Sequence, residues 1–414
     1  MASSFANYRR TAAALGTGAV ALFASAPALA QTVNCADLPA TVNAAAPPPI
    51  IYGQGGSAIT PLIAELALQL YQAKSLVVVY YDALGACTGP TALKDGVKAT
   101  GTAKYFASRN TTTGLPVTSN CTLAIAGDDV DFGAANNSAL SCAGFTDLPN
   151  NFGQFQGGAS TANFIAPLDS LEQSISAAGA YLVYGFADAG GVTPWINPNQ
   201  IYRRDANSFL TVTLNKGLGI PANQVKGIDT LNNGATITLV SGAPVGAARQ
   251  STIGMVGGDI ADTNRDKVKT LAYQHTDQTC GYWPDSTPNG YDKKNVRTGQ
   301  YYLWNPEYFF AKTSDAHTTI ADPDVARFVG YLTGKVAPPT GIVLTDVEVA
   351  AKVVPKCGMQ VWRDTDFGPQ YSYAPPEPCG CYFDLKATGS TTCASCKTTA
   401  CATGVCRNTF CEAY

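Results

Sequence analysis

Apolar residues along the chain fall into short continuous runs and helically spaced sets, with glycine-rich turns between them. "IIYGQ" from Ile50 reads as a short strand. Thr60–Gln72 reads as a helix, because Leu62, Ile63, Leu66 and Leu70 share one face at helical spacing. Ser75–Asp82, "SLVVVYYD", is a buried strand bounded by polar residues, and "LAIAGDDVDFGAANNSAL" holds another short strand that feeds a turn. "AYLVYGF" (Ala180–Phe186) and "TITLV" (Thr236–Val240) read as further strands. "IYRRDANSFLTVTLNKGLGIPANQV" gives a strand end, a polar turn and a helix that stops near Gly219 and Pro221. "DPDVARFVGYLTGK" is a late helix, acidic at its start and basic at its end, in line with the helix dipole. Strand, glycine turn and helix alternate, so the pattern predicts an α/β fold with mainly parallel strands.

The first 30 residues read as a leader. Arg9 and Arg10 precede an Ala/Gly-rich apolar run ending in "APALA-Q", which predicts a signal peptide cut after Ala30. The remainder is exported on this reading, to the periplasm or outside the cell, and no later segment is long and apolar enough to span a membrane. Charged residues make up 14% and the net charge is −3 without a basic stretch, which argues against a nucleic-acid partner.

Thirteen cysteines in an exported chain point to disulfides. Five (Cys35, Cys87, Cys121, Cys142, Cys280) are scattered through the body, and eight crowd the segment from Cys357 to Cys411. Cys393 and Cys396 have metal-ligand spacing, but the segment has no nearby histidine and is too short to build its own core. Disulfides are therefore expected there rather than zinc. The odd total leaves one thiol over.

Three turns carry the candidate chemistry. In "GQGGSAITP" the backbone N–H groups at a helix start, with Ser57, form a possible oxyanion cradle; the plain alternative is a glycine turn in which Ser57 caps the helix. "DFGAANNSAL" offers Asn136, Asn137 and Ser138, and "IYRRDANSF" sets Arg204 four residues before Ser208. Nucleotide fingerprints are missing: Ala58 stands where a G-x-G-x-x-G would need its last glycine. His275 and His317 lie in no metal or nucleophile motif, and there is no G-x-S-x-G elbow. Asp128, Asp129 and Asp131 read as a solvated turn. No enzyme, metal or cofactor is expected.

Taken in order, the three turns make the chain from about Ile50 to Lys356 resemble the phosphate-binding proteins of ABC phosphate importers, of the type 2 periplasmic binding class. There a Gly-Ser turn, a "DFGASD" turn and an "R-x-x-x-S-G-T" turn converge on phosphate. "GMVGGDIADTNRDKVKTLAYQ" and "CGYWPDSTPNGYDKKNVRTGQYYLWNP" resemble the later part of related binding proteins. The resemblance implies two α/β lobes within residues 48–355, lobe one from 48–135 and 266–355 and lobe two from 136–265, followed by a cysteine-rich tail over 356–414. It implies phosphate or another small anion as ligand and an ABC permease as partner. Ser57, Arg204 and Ser208 would contact the ligand, with backbone N–H groups near Ala58 and Ile59.

The chain departs from that pattern at three places. Ala135-Asn136 replaces the family's Ser-Asp, so an amide stands where the acid accepts a proton from phosphate. Ser208-Phe209-Leu210 replaces Ser-Gly-Thr, and Cys87 with Thr88 replaces a flexible turn. Two expectations follow: a non-catalytic solute-binding protein, or an extracellular interaction module that reuses the fold with a degenerate ligand site.

Overall fold

The computed structural model describes residues 33–82 and 85–412. The leader expected over residues 1–30 lies outside them. The central sheet begins where sequence reading placed it. Val77–Asp82, buried along its valines on both faces, pairs in parallel with Ile50–Gly55, which pairs in parallel with Phe132–Ala135. An all-apolar run without alternation fits a strand covered on both sides. Helix Thr60–Gln72 covers one face, burying Leu62, Ile63, Leu66 and Leu70.

The sheet is mixed, not mainly parallel. Thr102–Arg109 and Pro116–Thr122 form an antiparallel edge beside Val77–Asp82. The 16-residue strand Phe152–Pro167 and the strand Trp304–Lys312 run antiparallel to each other through the middle. On the far side, Ile253–Gly257 pairs antiparallel with Phe152–Pro167 and parallel with Ile201–Arg204, which carries Ile228–Thr230 on its other edge. Two small parallel groups are thus joined through the crossing pair. The α/β expectation holds.

Two predicted strands are helices. Ala180–Phe186 belongs to helix Ala177–Phe186, and Thr236–Val240 to helix Asn233–Ser241. Each begins at a side-chain cap: Ser176 Oγ accepts from the Gly179 N–H and Asn232 Oδ1 from the Ala235 N–H. Their buried sets, Ala180, Val183, Tyr184 and Thr236, Ile237, Val240, lie on one helical face. A short apolar run does not reveal its period, and the cap decides it.

Twelve cysteines pair as 35–121, 87–142, 357–379, 381–393, 396–406 and 401–411, leaving Cys280 free and exposed. Cys393 and Cys396 bond to other cysteines, so neither a zinc site nor a redox pair forms there in this state. The disulfide-rich C-terminal region packs onto the body. Arg297 bridges to Asp384 and donates from Nε to the Gly358 carbonyl at 2.9 Å. Glu412, fully buried, accepts the Cys381 and Tyr382 N–H groups at the start of helix Gly380–Thr388. Among the described residues, no helix is long and apolar enough to cross a membrane.

Candidate functional site

The first turn leads from strand Ile50–Gly55 into helix Thr60–Gln72. Its glycines answer to packing. A Cβ on Gly53 would sit 2.1 Å from the Phe132 ring, and one on Gly55 2.1 Å from the Ala134 carbonyl oxygen. Strand contact therefore requires glycine at both positions, whatever binds nearby. Ile59 is the residue before the helix and is fully buried, and no side chain caps that end. Ser57 is exposed and Ala58 half-exposed, so the capping role considered for Ser57 is not what it does.

The third turn starts at the end of strand Ile201–Arg204. Arg204 is buried, and each of its three guanidinium nitrogens has one hydrogen-bond partner. Nε donates to the Thr230 carbonyl at 3.0 Å, Nη1 to Asn233 Oδ1 at 3.5 Å and Nη2 to Asp205 Oδ2 at 3.2 Å. Ser208 Oγ accepts from the Leu210 N–H at 3.3 Å, capping its own short helix. The first and third turns meet through the segment after Asp82: the Ala86 N–H donates to the Asn207 carbonyl at 2.9 Å, and Gly56 packs on Ala86.

The second turn holds the decisive contact. Asn136, Asn137 and Ser138 are buried after strand Phe132–Ala135. The Asn136 carbonyl accepts from Asn305 Nδ2 at 3.4 Å, and its own side-chain amide nitrogen has no partner among the described residues. The Ser138 N–H donates to both carboxylate oxygens of Asp366, at 3.1 and 3.0 Å, and the Ser141 hydroxyl donates to the same carboxylate. Burial pushes the Asp366 pKa up, while Ser141, the Ser138 N–H and nearby Lys216 pull against it.

Asp366 lies in the segment expected to stand apart as a cysteine-rich tail. Its neighbour Phe367 stacks on Phe209 with ring centroids 6.5 Å apart, and the Phe367 N–H donates to Asn305 Oδ1 at 3.1 Å. Phe209 is the surface on which this segment docks. Arg363 is buried with its guanidinium over the rings of Tyr302 and Trp304, and donates to the Tyr302 carbonyl at 3.2 Å. Burial lowers its pKa to about 10. The segment thus brings Asp366 to the second turn and Phe367 to the third, while Arg363 lies over Tyr302 and Trp304.

The structure places the expected residues unequally. It draws the first turn to the third, and the second to the third through Phe367 and Phe209. Arg204 faces Thr230, Asn233 and Asp205. Sequence reading missed Arg363, Asp366 and Phe367. The signal was present: "VWRDTDFG" is aromatic and charged, unlike a linker, and repeats the Asp-Phe-Gly of residues 131–133. His275 stacks on Tyr302 and His317 bonds the Phe152 carbonyl. Asp128 and Asp131 accept the Ala124 and Tyr52 N–H groups at 2.8 Å each, so they tie turns together while Asp129 faces solvent.

No family model and no curated protein matches the chain. Among solved structures it is similar to an ABC-type phosphate transport receptor from Vibrio cholerae, at 13% identity and TM-score 0.48, over 74% of this chain and 99% of that one. It is similar to PstS from Borrelia burgdorferi at 14% identity and TM-score 0.40, over 74% and 98%. It is similar also to a reduced form of OxyR from N. meningitidis, at 8% identity and TM-score 0.37, over 70% and 96%.

Proposed function

We propose that the chain is an exported, non-catalytic binding protein of the two-lobed periplasmic type, in which an internal carboxylate takes the place of a free anion. The observation that carries this is the Asp366 carboxylate on the Ser138 N–H and the Ser141 hydroxyl. A carboxylate held by charge-assisted hydrogen bonds satisfies the donors that would otherwise attract phosphate. With Arg204 committed elsewhere and Phe209 covered by Phe367, the turns act as a dock for the chain's own segment. The protein then serves as an extracellular or cell-surface interaction module, and an importer permease would have no small anion to receive from this site. Twelve paired cysteines suit a chain working outside the reducing cytosol.

Calorimetric titration of the chain from Gln31 with phosphate, sulfate and arsenate tests the reading. No heat is expected from the unaltered protein, and weak phosphate binding is expected to emerge in Asp366→Ala, where the Ser138 and Ser141 donors are freed. Tight phosphate binding by the unaltered chain, weakened at least about tenfold by Arg204→Ala, would instead establish phosphate capture at the three turns.

A further inference from the structure

A cavity of about 740 Å³ opens between the end of helix Pro323–Leu332, helix Leu344–Ala350 and the disulfide-rich C-terminal region. Its size falls in the range of sites that enclose a small organic molecule. Much of its wall is apolar, with Val336, Pro338, Leu344 and Pro375 among the lining residues and the Tyr373 ring beside them. Lys335 and Lys356 line the same cavity, and among the described residues neither ammonium makes an ion pair or a hydrogen bond. Lys356 Nζ lies 4.4 Å from the centroid of Trp362 and 5.6 Å from that of Tyr373, and Lys335 Nζ lies 5.4 Å from that of Phe155. Burial, and then the charge of Lys335, push the Lys356 pKa down. Two like charges on one cavity wall repel unless an anion joins them. Arg407, also in the wall, is already paired with Glu377. Glu348 lines the cavity too. It is almost wholly buried, its Oε2 has no partner, and burial together with Glu307 raises its pKa well above the ordinary value.

We propose that this cavity is a binding site for a small aromatic carboxylate, its acid groups held by Lys335 and Lys356 and its ring by the apolar wall. Inorganic phosphate is the wrong ligand for it, since so small and hydrated an ion leaves the wall uncovered. The site is independent of the contact between Ser138 and Asp366, and would hold even if free phosphate binds at the three turns. It also gives the C-terminal region a role, because Lys356, Tyr373 and Pro375 come from its first residues.

The test is calorimetric titration of the full chain from Gln31, disulfides intact, with benzene-1,2-dicarboxylate, and separately with inorganic phosphate. One saturable site for the dicarboxylate is expected. Lys356→Met should weaken it about tenfold, equal to about 1.4 kcal/mol, with a smaller loss in Lys335→Met and none in Asp366→Ala. Lys335 is exposed, so its variant keeps the test valid if Lys356→Met folds poorly. Absence of saturable heat with the dicarboxylate up to about 10 mM would overturn the proposal. So would equal affinity in Lys335→Met and the unaltered chain, or a loss in Asp366→Ala as large as in the lysine variants.

Discussion

Between pH 5 and pH 8 the protein is expected to lose about 4 kcal/mol of folding stability through one carboxyl group, that of Glu307. Glu307 sits in the central strand Trp304–Lys312 and is fully buried. It accepts one hydrogen bond, from Ser160 Oγ at 2.7 Å, and its Oε2 has no partner. Burial pushes its pKa from 4.5 up to about 8, against the pull of Ser160. The folded state therefore holds this proton more tightly than the unfolded chain does. Below pH 4.5 both states are protonated and the stability is fully present. As pH rises the unfolded chain ionises first, and about 1.4 kcal/mol is lost per pH unit until the folded group ionises near pH 8. Glu348 adds a loss of the same sign, since its pKa is raised too. Urea unfolding across this range should show the slope, and Glu307→Gln should remove about one proton's worth of it. A variant whose stability runs parallel to the unaltered protein from pH 5 to 8 would mean that Glu307 is ionised and solvated when folded.

A buried acid of this kind was not legible in the sequence, where "LWNPEYFF" shows Glu307 only as one of two polar letters among apolar ones. What was legible depended on local chemistry. Helix Thr60–Gln72 and strand Val77–Asp82 lie where their spacing put them, because periodicity over ten or more residues, or a run of valines, leaves little choice. The late helix is capped at Asp322, the acidic start that the sequence displayed. Ala180–Phe186 and Thr236–Val240 went the other way because runs of five to seven residues fit either period. Their caps, Ser176 and Asn232, each lie four residues upstream of the runs themselves. The candidate turns were found, but not what occupies them. The Ser138–Asp366 contact joins residues 228 apart in the chain, and no local pattern encodes a partner at that distance. The aromatic stretch Val361–Gly368 precedes seven of the eight C-terminal cysteines, and its contacts reach Ser138 and Trp304, both distant in the chain.

That segment should prove as important to stability as any core strand. Trp362→Ala is expected to cost about 3–5 kcal/mol, measured by urea unfolding at pH 6. The Trp362 side chain is almost wholly buried, with its ring 5.7 Å from Trp304 and 5.8 Å from Tyr373, and its Nε1 donates to Gln156 Oε1 at 2.9 Å. Truncation removes an indole from a packed site and leaves the Gln156 acceptor without its donor. It also releases the segment that places Arg363, Asp366 and Phe367. Because Trp362 and Asp366 dock one continuous stretch, Trp362→Ala combined with Asp366→Ala should cost less than the two singles added together. A loss below about 1 kcal/mol for Trp362→Ala would show instead that the segment rests on the body without holding it. The Asp366 contact would then be a surface latch, and the three turns would be open to a solute whenever it released.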